Sequence, residues 1–597
     1  MHRWGTDIRV LAVSFAREPV YKLPVLHCLI AAFRLERFLW ILLVCCAGQT
    51  HAQSLPQRGG LPPQTGLVPP LRVPLVLAGN FGELRANHFH TGLDFKTQGK
   101  EGLPIIAATD GVISRIRTGP FGYGNALYLS SPEGLTTVYA HLQRFAEPLA
   151  TWLCEEQYRS EQNEWDAAPR RAFSFSQGDT LGWSGNSGSS GGPHLHFEVR
   201  ETATQRPINP LLWDFDVADS RPPQLSAVWV IPEQGSLVDG RAVPVRLDAD
   251  VERIEVAGRV RVAVEAFDRL SAAHNVCGVY RIAVELDSLP WFQATLDTLD
   301  FSVARDMNAH AYYPVWQRNK DQIHRLHRLP GNRLPIYDRT SRSGLIDVLP
   351  AQSRELHITV VDVHGNQADR TLILAGIPRP PASPEERPTL GKALRYDAPF
   401  AYADSTGLRV NIPADAFYED TWFACGPAIG KGWHIGSSDL PARKDFTVEL
   451  PEHAGCGFRG HVAVRWEGDD IEAVIPGRPL VGGGLKFTTR NPGVYFAACD
   501  TVPPHIAVRS LSPSGLPEQP QALALQFEVA DDLSGVEEVS AWADGCWLRL
   551  QWDPKKDRAY YLLEDGRHLP GETQTVVFEA RDAAGNVAEW SGQVRWP

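Results

Sequence analysis

Three short segments place histidines and an aspartate at spacings that suit metal chemistry. His90 and Asp94 are four residues apart in the segment HTGLD, so on an extended chain both side chains project from the same face. His194 and His196 flank one leucine, so both imidazoles point to the same side of a strand. His141 follows a third strand-like segment, TTVYA. A catalytic zinc takes three nitrogen or oxygen ligands and leaves one position for water, and these five side chains offer such a set.

The order of these segments resembles the lysostaphin/LytM-type zinc endopeptidases, which cut peptide bonds in bacterial peptidoglycan. The resemblance covers about residues 78–210. It includes the segment GNSG, which precedes the paired histidines, and the segment GPHLHFE, which contains them. It implies that zinc (Zn²⁺) is bound by His90, Asp94 and His196. It also implies that His141 and His194 are catalytic residues, which handle protons and the oxyanion rather than the metal.

Two alternatives to this assignment follow from the residues. His88 shares the parity of His90 and is an alternative ligand, although it lacks the four-residue spacing to Asp94. The segment GWSGN superficially resembles a serine nucleophile elbow, but Asn186 stands where that motif requires glycine. We therefore interpret GWSGN as a turn.

The elements that must position these residues are predicted to be short strands. Alternating apolar residues and Gly-rich turns from Val73 to Asp216 predict a zinc metallopeptidase domain of antiparallel β-structure over 73–216. The stretch 145–168 lacks this alternation and is rich in Glu and Gln, which predicts a helical insertion. The expected fold class is mainly β.

The remainder of the chain contains a repeated pattern. The segments AFDRLS at 266–271 and ADDLSG at 530–535 are similar, and each is followed by a strand that ends in Asp-x-x-Gly-Asn. Two copies predict two immunoglobulin-like β-sandwich domains, at 217–377 and 503–597. The first is expected to carry an insertion around 306–342. The intervening 378–502 is predicted to be a β-rich domain of unknown type, which begins with the proline-rich boundary 378–384.

The N-terminus and the composition bound the cellular setting. Residues 1–52 are predicted to be a secretory signal peptide, because an apolar run follows Arg34 and Arg37 and ends near the small residue Ala52. Residues 53–72, rich in Pro, Gly and Gln, are predicted to be a linker. A net charge of -12 argues against wholesale nucleic-acid binding. The mature chain is expected to have no transmembrane span and to lie in the periplasm, at the cell surface or outside the cell.

Taken together, these features predict an exported zinc metalloendopeptidase that hydrolyses peptide bonds in peptidoglycan cross-links. The expected partners are peptidoglycan peptides and a cell-envelope protein bound through the β-sandwich tail. The alternative is a cell-wall binding or regulatory protein that uses the peptidase fold as a scaffold. The six cysteines of the mature chain allow 15 full pairings, and their scatter assigns none.

Overall fold

The computed structural model describes residues 66–379, 390–428, 432–451, 460–467, 470–481, 483–513 and 523–597. The predicted signal peptide, most of the predicted linker and most of the proline-rich boundary lie outside the described residues. Strands account for 49% of the chain and helices for 8%, which confirms the mainly β fold class. Within the described ranges, no helix is both long and apolar enough to cross a membrane.

The first domain contains all five candidate site residues. Eleven of its strands form one antiparallel sheet, in which β12 lies between β4 and β8. Within the predicted insertion, the helix α1 spans Leu149–Ser160 and the chain then returns to the sheet as β9. The bounds of β1 to β13 are, in order, Leu77–Gly79, Leu84–Arg85, His88–Phe89, Leu93–Lys96, Pro104–Ile106, Gly111–Thr118, Asn125–Ser130, Leu135–Phe145, Trp165–Ala167, Ser174–Phe175, Thr180–Ser184, His194–Glu201 and Pro207–Ile208.

The next eleven strands form a second large sheet. The long strand β17 pairs antiparallel with β14 near its end and parallel with β24 near its start, so it takes part in two layers. One hydrophobic core runs from Leu71 to Leu374, so the first domain and this sheet share their interior. The helices α2 and α3 lie within the predicted insertion. The helix α2 spans Met307–His310 and α3 spans Tyr313–Asn319. Strands β14 to β24 span, in order, Gln224–Pro232, Leu237–Val238, Val245–Asp248, Arg253–Phe267, Arg281–Leu286, Leu289–Thr295, Ile323–Arg325, Tyr337–Thr340, Ile346–Val348, Ser353–Val361 and Gln367–Gly376.

The region that follows is built from two five-stranded sheets and one two-stranded sheet. Aromatic residues such as Phe423 and Phe446 fill its separate core. Strands β25 to β36 span Lys392–Leu394, Phe400–Ala403, Arg409–Ile412, Thr421–Phe423, Cys425–Pro427, Trp433–Ile435, Phe446–Leu450, His461–Glu467, Asp470–Pro476, Arg478–Pro479, Leu485–Thr489 and Gly493–Cys499.

The C-terminal domain consists of two four-stranded sheets, ordered β37-β38-β42-β41 and β40-β39-β43-β44. Phe527 from one sheet and Phe578 from the other stack with ring centroids 3.9 Å apart, so the two sheets pack face to face. The immunoglobulin-like assignment of this domain and of 217–377 remains a prediction. Strands β37 to β44 span His505–Pro513, Leu523–Ala530, Val536–Ala543, Cys546–Leu548, Gln551–Asp553, Arg558–Leu562, Thr573–Asp582 and Val587–Arg595.

The cysteines are distributed over these domains. Cys154, Cys277, Cys425 and Cys546 are free thiols. Cys499 is disulfide-bonded, and Cys456 lies outside the described residues.

Candidate active site

The register of the central strands brings the candidate ligands together. In the pairing of β12 with β4, His196 lies directly opposite Asp94. Leu195, Phe197 and Val199 of β12 are fully buried in the hydrophobic core. Because side chains alternate along a strand, the even-numbered residues 194–200 form a polar row on the opposite face.

The three predicted metal ligands form a compact triangle. The Nε2 atom of His90 lies 3.0 Å from Asp94 Oδ1 and 3.0 Å from His196 Nδ1, and His196 Nδ1 lies 2.9 Å from Asp94 Oδ1. All three side chains are buried. Tetrahedral zinc with bonds of about 2.0–2.1 Å keeps its ligand atoms about 3.4 Å apart. A small outward movement of each ligand would therefore admit the ion, and the donor set suits it.

Each histidine of the triangle is held by a partner on its other nitrogen. His90 Nδ1 donates to the carbonyl oxygen of Asn80 at 2.7 Å, which leaves Nε2 free to bind a cation. His196 Nε2 contacts Glu198 Oε1 at 2.8 Å, which leaves Nδ1 facing the triangle. Such partners orient a metal ligand and set its tautomer. The sequence interpretation assigned no role to Asn80 or Glu198, although the parity of Glu198 with His196 in β12 is a signal for it.

The carboxylate of Asp94 is positioned in the same way. Its Oδ2 accepts a hydrogen bond from Arg85 Nη2 at 2.6 Å, and Arg85 is also paired with Glu83 at 3.0 Å. Oδ1 is thereby directed towards the histidines. Burial alone would raise the pKa of Asp94, but His90 and the hydrogen-bonded histidines hold it well below its ordinary value. Sequence reasoning did not identify Arg85.

A second buried anion lies behind His196. Glu198 accepts hydrogen bonds from Thr91 Oγ1 at 2.7 Å, from Tyr123 OH at 2.5 Å and from Arg200 Nε at 2.6 Å. Burial opposes ionisation of Glu198, yet Arg200 and His196 hold its pKa well below the ordinary value. Burial lowers the pKa of His196, but the hydrogen bonds of Asp94 and Glu198 outweigh it and raise that pKa to about 9. The local charge of this site therefore favours a cation.

His141 and His194 lie beside the triangle without joining it. Their ring centroids are 4.7 Å apart, and His194 Nε2 lies 3.5 Å from Asp94 Oδ1. His141 Nδ1 donates to the carbonyl oxygen of Ser187 at 2.8 Å, and His194 Nδ1 contacts the carbonyl oxygen of Gly192 at 2.8 Å. These contacts orient both rings through Nδ1, and His194 Nε2 faces Asp94. Burial and the neighbouring His196 lower the pKa of His141 to about 3.

The backbone of His141 is strained. Its φ of 59° lies in the left-handed region, which is uncommon for a residue other than glycine and recurs at functional sites. The structure thus brings the five predicted site residues together, while the division between ligands and catalytic residues remains a prediction.

The structure also places the two alternatives considered in the sequence, His88 and the segment GWSGN. His88 is exposed, its Nδ1 contacts the carbonyl oxygen of Ala86 at 2.8 Å, and it is not part of the group formed by His90, Asp94 and His196. The interpretation of GWSGN as a turn was wrong for its first three residues, which belong to β11. Ser184 within it is fully buried and accepts a hydrogen bond from the Leu103 amide at 3.0 Å. Gly92 is required for close approach, since a Cβ there would lie 2.3 Å from the carbonyl oxygen of Phe197.

A groove lies between the first domain and the C-terminal domain, beside the segment 186–188 that precedes His194. It encloses about 1020 Å³ and is lined by Gln143, Trp183 and Asn186 on one side and by residues of the C-terminal domain on the other. Lys555 donates to the carbonyl oxygens of Asn186 at 2.5 Å and Ser190 at 3.3 Å. The C-terminal domain therefore contacts the segment that leads into His194.

The helix α1 also contacts the C-terminal domain. Tyr158 OH donates to Asp565 Oδ2 at 3.0 Å, and Arg549 donates to Gln157 Oε1 at 3.2 Å. The predicted insertion thus holds the C-terminal domain against the peptidase-like domain.

Comparisons with known proteins identify relatives of part of this chain. Residues 88–149 match the model of Peptidase family M23. The DD-carboxypeptidase/endopeptidase Mpg of Neisseria meningitidis serogroup B is 34% identical over 123 residues, which are 20% of this chain and 22% of that protein. The peptidoglycan DD-endopeptidase ShyA of Vibrio cholerae is 26% identical over 141 residues, 24% of this chain and 26% of its own length. The chain thus spans about a quarter or less of the length of these relatives.

A solved structure is also similar to this region. The catalytic domain of the M23 protein EnpA from Enterococcus faecalis is 24% identical and covers 25% of this chain and 93% of its own, with a TM-score of 0.18. The sequence matches confirm the predicted resemblance of the first domain to the lysostaphin/LytM-type peptidases, Peptidase family M23.

Proposed function

We propose that this protein is a zinc-dependent endopeptidase that hydrolyses amide bonds in the peptide cross-links of peptidoglycan. The observation that carries the proposal is the buried triangle of His90, Asp94 and His196. The three atoms that face one another lie about 3 Å apart, and the other polar atom of each side chain is held by a hydrogen-bond partner. Zinc held there would lower the pKa of a coordinated water towards neutrality and polarise the scissile carbonyl.

The residues of this chain supply the proton transfers and the orientation. The carbonyl oxygens of Ser187 and Gly192 occupy the Nδ1 atoms of His141 and His194, so each imidazole directs Nε2 towards the substrate. One neutral imidazole accepts the proton of the attacking water, and a protonated imidazole stabilises the oxyanion. Two histidines at a ring distance of 4.7 Å suit this division of work.

The substrate class is supported by the relatives and by the groove. Both similar curated proteins are named as DD-endopeptidases or carboxypeptidases, and ShyA is named for peptidoglycan. The groove carries cationic Arg144 and Lys555 as well as several carboxylates, so it offers partners to both charged groups of a cell-wall peptide. The predicted signal peptide supports action in the periplasm or at the cell surface.

The test is product analysis of digested cell-wall sacculi by mass spectrometry, together with zinc analysis of the purified protein. We expect one bound zinc and hydrolysed cross-linking peptides, each gaining one water, with His141→Ala as the inactive control. Protein without zinc, or muropeptides identical to those left by His141→Ala, would refute the proposal. If Asp94→Ala protein restored full function in cells, the non-catalytic scaffold would replace it.

A further inference from the structure

A group of three aspartates lies at one end of the C-terminal domain, far along the chain from the peptidase site. Asp500 precedes β37, and Asp531 and Asp532 follow β38; we call these three residues the acidic corner. Each offers one carboxylate oxygen, and these oxygens lie within 4.8 Å of one another. Like charges at this distance repel unless a cation or protons lie between them.

Two oxygens of the acidic corner are buried without a donor. Asp500 is 2% exposed; its Oδ2 accepts a hydrogen bond from the Ser534 amide at 3.1 Å, while its Oδ1 has no partner among the described residues. Asp531 repeats this arrangement. Its Oδ2 accepts from the amides of Leu533 and Gly535 at 3.1 and 2.8 Å, and its buried Oδ1 has no partner there either. A buried carboxylate oxygen normally has a donor or a cation.

The first sandwich region supplies an internal comparison. Asp219 and Asp268 correspond to Asp500 and Asp531. Asp219 and Asp500 are each followed three residues later by Pro-Pro. The Ser271 amide donates to Asp219 Oδ1 at 3.0 Å, as the Ser534 amide donates to Asp500. The repeat therefore extends from sequence to hydrogen bonding.

The two groups of aspartates differ in the side chains that lie beside them. In the first region, Arg269 stands in the place of Asp532, and His364 stands in the place of Ala584. His364 Nδ1 lies 3.9 Å from Asp219 Oδ2, so an imidazole stands beside the aspartates there, whereas the acidic corner has only carboxylates. At the acidic corner, no Lys, Arg or His of the described chain forms an ion pair with the three aspartates, and burial with the neighbouring Asp531 and Asp582 raises the pKa of Asp500.

We propose that the acidic corner binds Ca²⁺. Its side chains offer only oxygen, and Ca²⁺ takes six to eight oxygen ligands in a flexible geometry, whereas Mg²⁺ demands a near-ideal octahedron. The exposed side of Asp532 leaves room for water to complete the shell. The ion would join the segment that leads into the C-terminal domain to the turn between β38 and β39.

The test is a titration of the full-length protein with CaCl₂ by isothermal calorimetry, followed by thermal unfolding. Asp94→Ala is used as the background so that the peptidase site takes no ion. We expect Asp500→Asn, Asp531→Asn and Asp532→Asn each to lose one equivalent of Ca²⁺ and the rise in Tm that Ca²⁺ causes. Asp532 is exposed, so its variant tests the site even if the two buried variants fail to fold. Glu572→Gln is the matched control and should bind as before, because Glu572 is exposed and lies just before β43, at the end of that strand opposite Asp582.

Three results would overturn the proposal. One is a background protein that binds no Ca²⁺ at millimolar concentration. Another is an Asp532→Asn protein that folds and binds as many ions as its parent. The third is loss of the ion in Asp219→Asn but not in Asp532→Asn, which would place the site in the first region. Equal affinity for MgCl₂ would overturn the choice of Ca²⁺.

Discussion

The triangle of the peptidase domain and the acidic corner are two ways of gathering metal-binding side chains. The triangle combines two imidazoles with one carboxylate, and all three are buried. The acidic corner has only carboxylates, and one of them, Asp532, is exposed. Mixed nitrogen and oxygen donors suit zinc, whereas oxygen alone suits Ca²⁺.

The two sites also differ in what holds their ligands. Asn80, Arg85 and Glu198 hold the triangle from behind, through one backbone carbonyl oxygen and two charged side chains. Backbone amides of one local turn hold the acidic corner. We therefore expect the triangle to be organised before an ion binds, and the acidic corner to gain order when one does.

The largest expected effect separates the two sites. Asp94→Ala or His196→Ala removes a ligand from the triangle, so we expect peptidase activity to fall to the background of the assay and zinc to be lost. Ca²⁺ binding should be unchanged in the same proteins, because no ligand of the acidic corner is altered. Metal analysis and sacculus digestion measure both outcomes; a protein that keeps zinc and activity would contradict the ligand assignment.

A smaller effect is expected within the peptidase domain itself. His141→Ala removes a proton-transfer group but no ligand, so kcat should fall by about 10²–10⁴-fold while zinc content stays at the parent level. Loss of zinc in this variant would show instead that His141 is a ligand.

The smallest effect concerns the residues behind the ligands. Glu198→Gln keeps the shape of the side chain but weakens the hold on His196, and zinc affinity should fall by about 10–100-fold. Competition with a zinc-binding dye measures the change. Glu201→Gln, an exposed glutamate on the same strand, is the control. Equal affinity of the two variants would mean that Glu198 does not support the ligand.

Much of the candidate site was predictable because its signals are local. The His-x-His pair and the spacing of His90 and Asp94 express the period of a strand, and the alternation of apolar residues predicted the mainly β fold. The partners of the ligands lie only two to ten residues from them in sequence, but Asn80 and Arg85 reach them through turns and strand pairing that no periodic pattern marks. The side chain of Asn80, for example, donates to the carbonyl oxygen of Gly278, which precedes β18, at 2.8 Å, while the carbonyl oxygen of Asn80 holds His90.

The sequence by itself therefore determined which side chains can bind a metal and on which face of a strand they lie, since both depend on residue type and short spacing. Only the tertiary structure decided that His196 faces Asp94, that Glu198 and Arg85 close the site from behind, and that α1 holds the C-terminal domain. Those facts depend on strand register and on packing between domains. Neither is contained in the periodicity of one segment, because each requires two segments to meet.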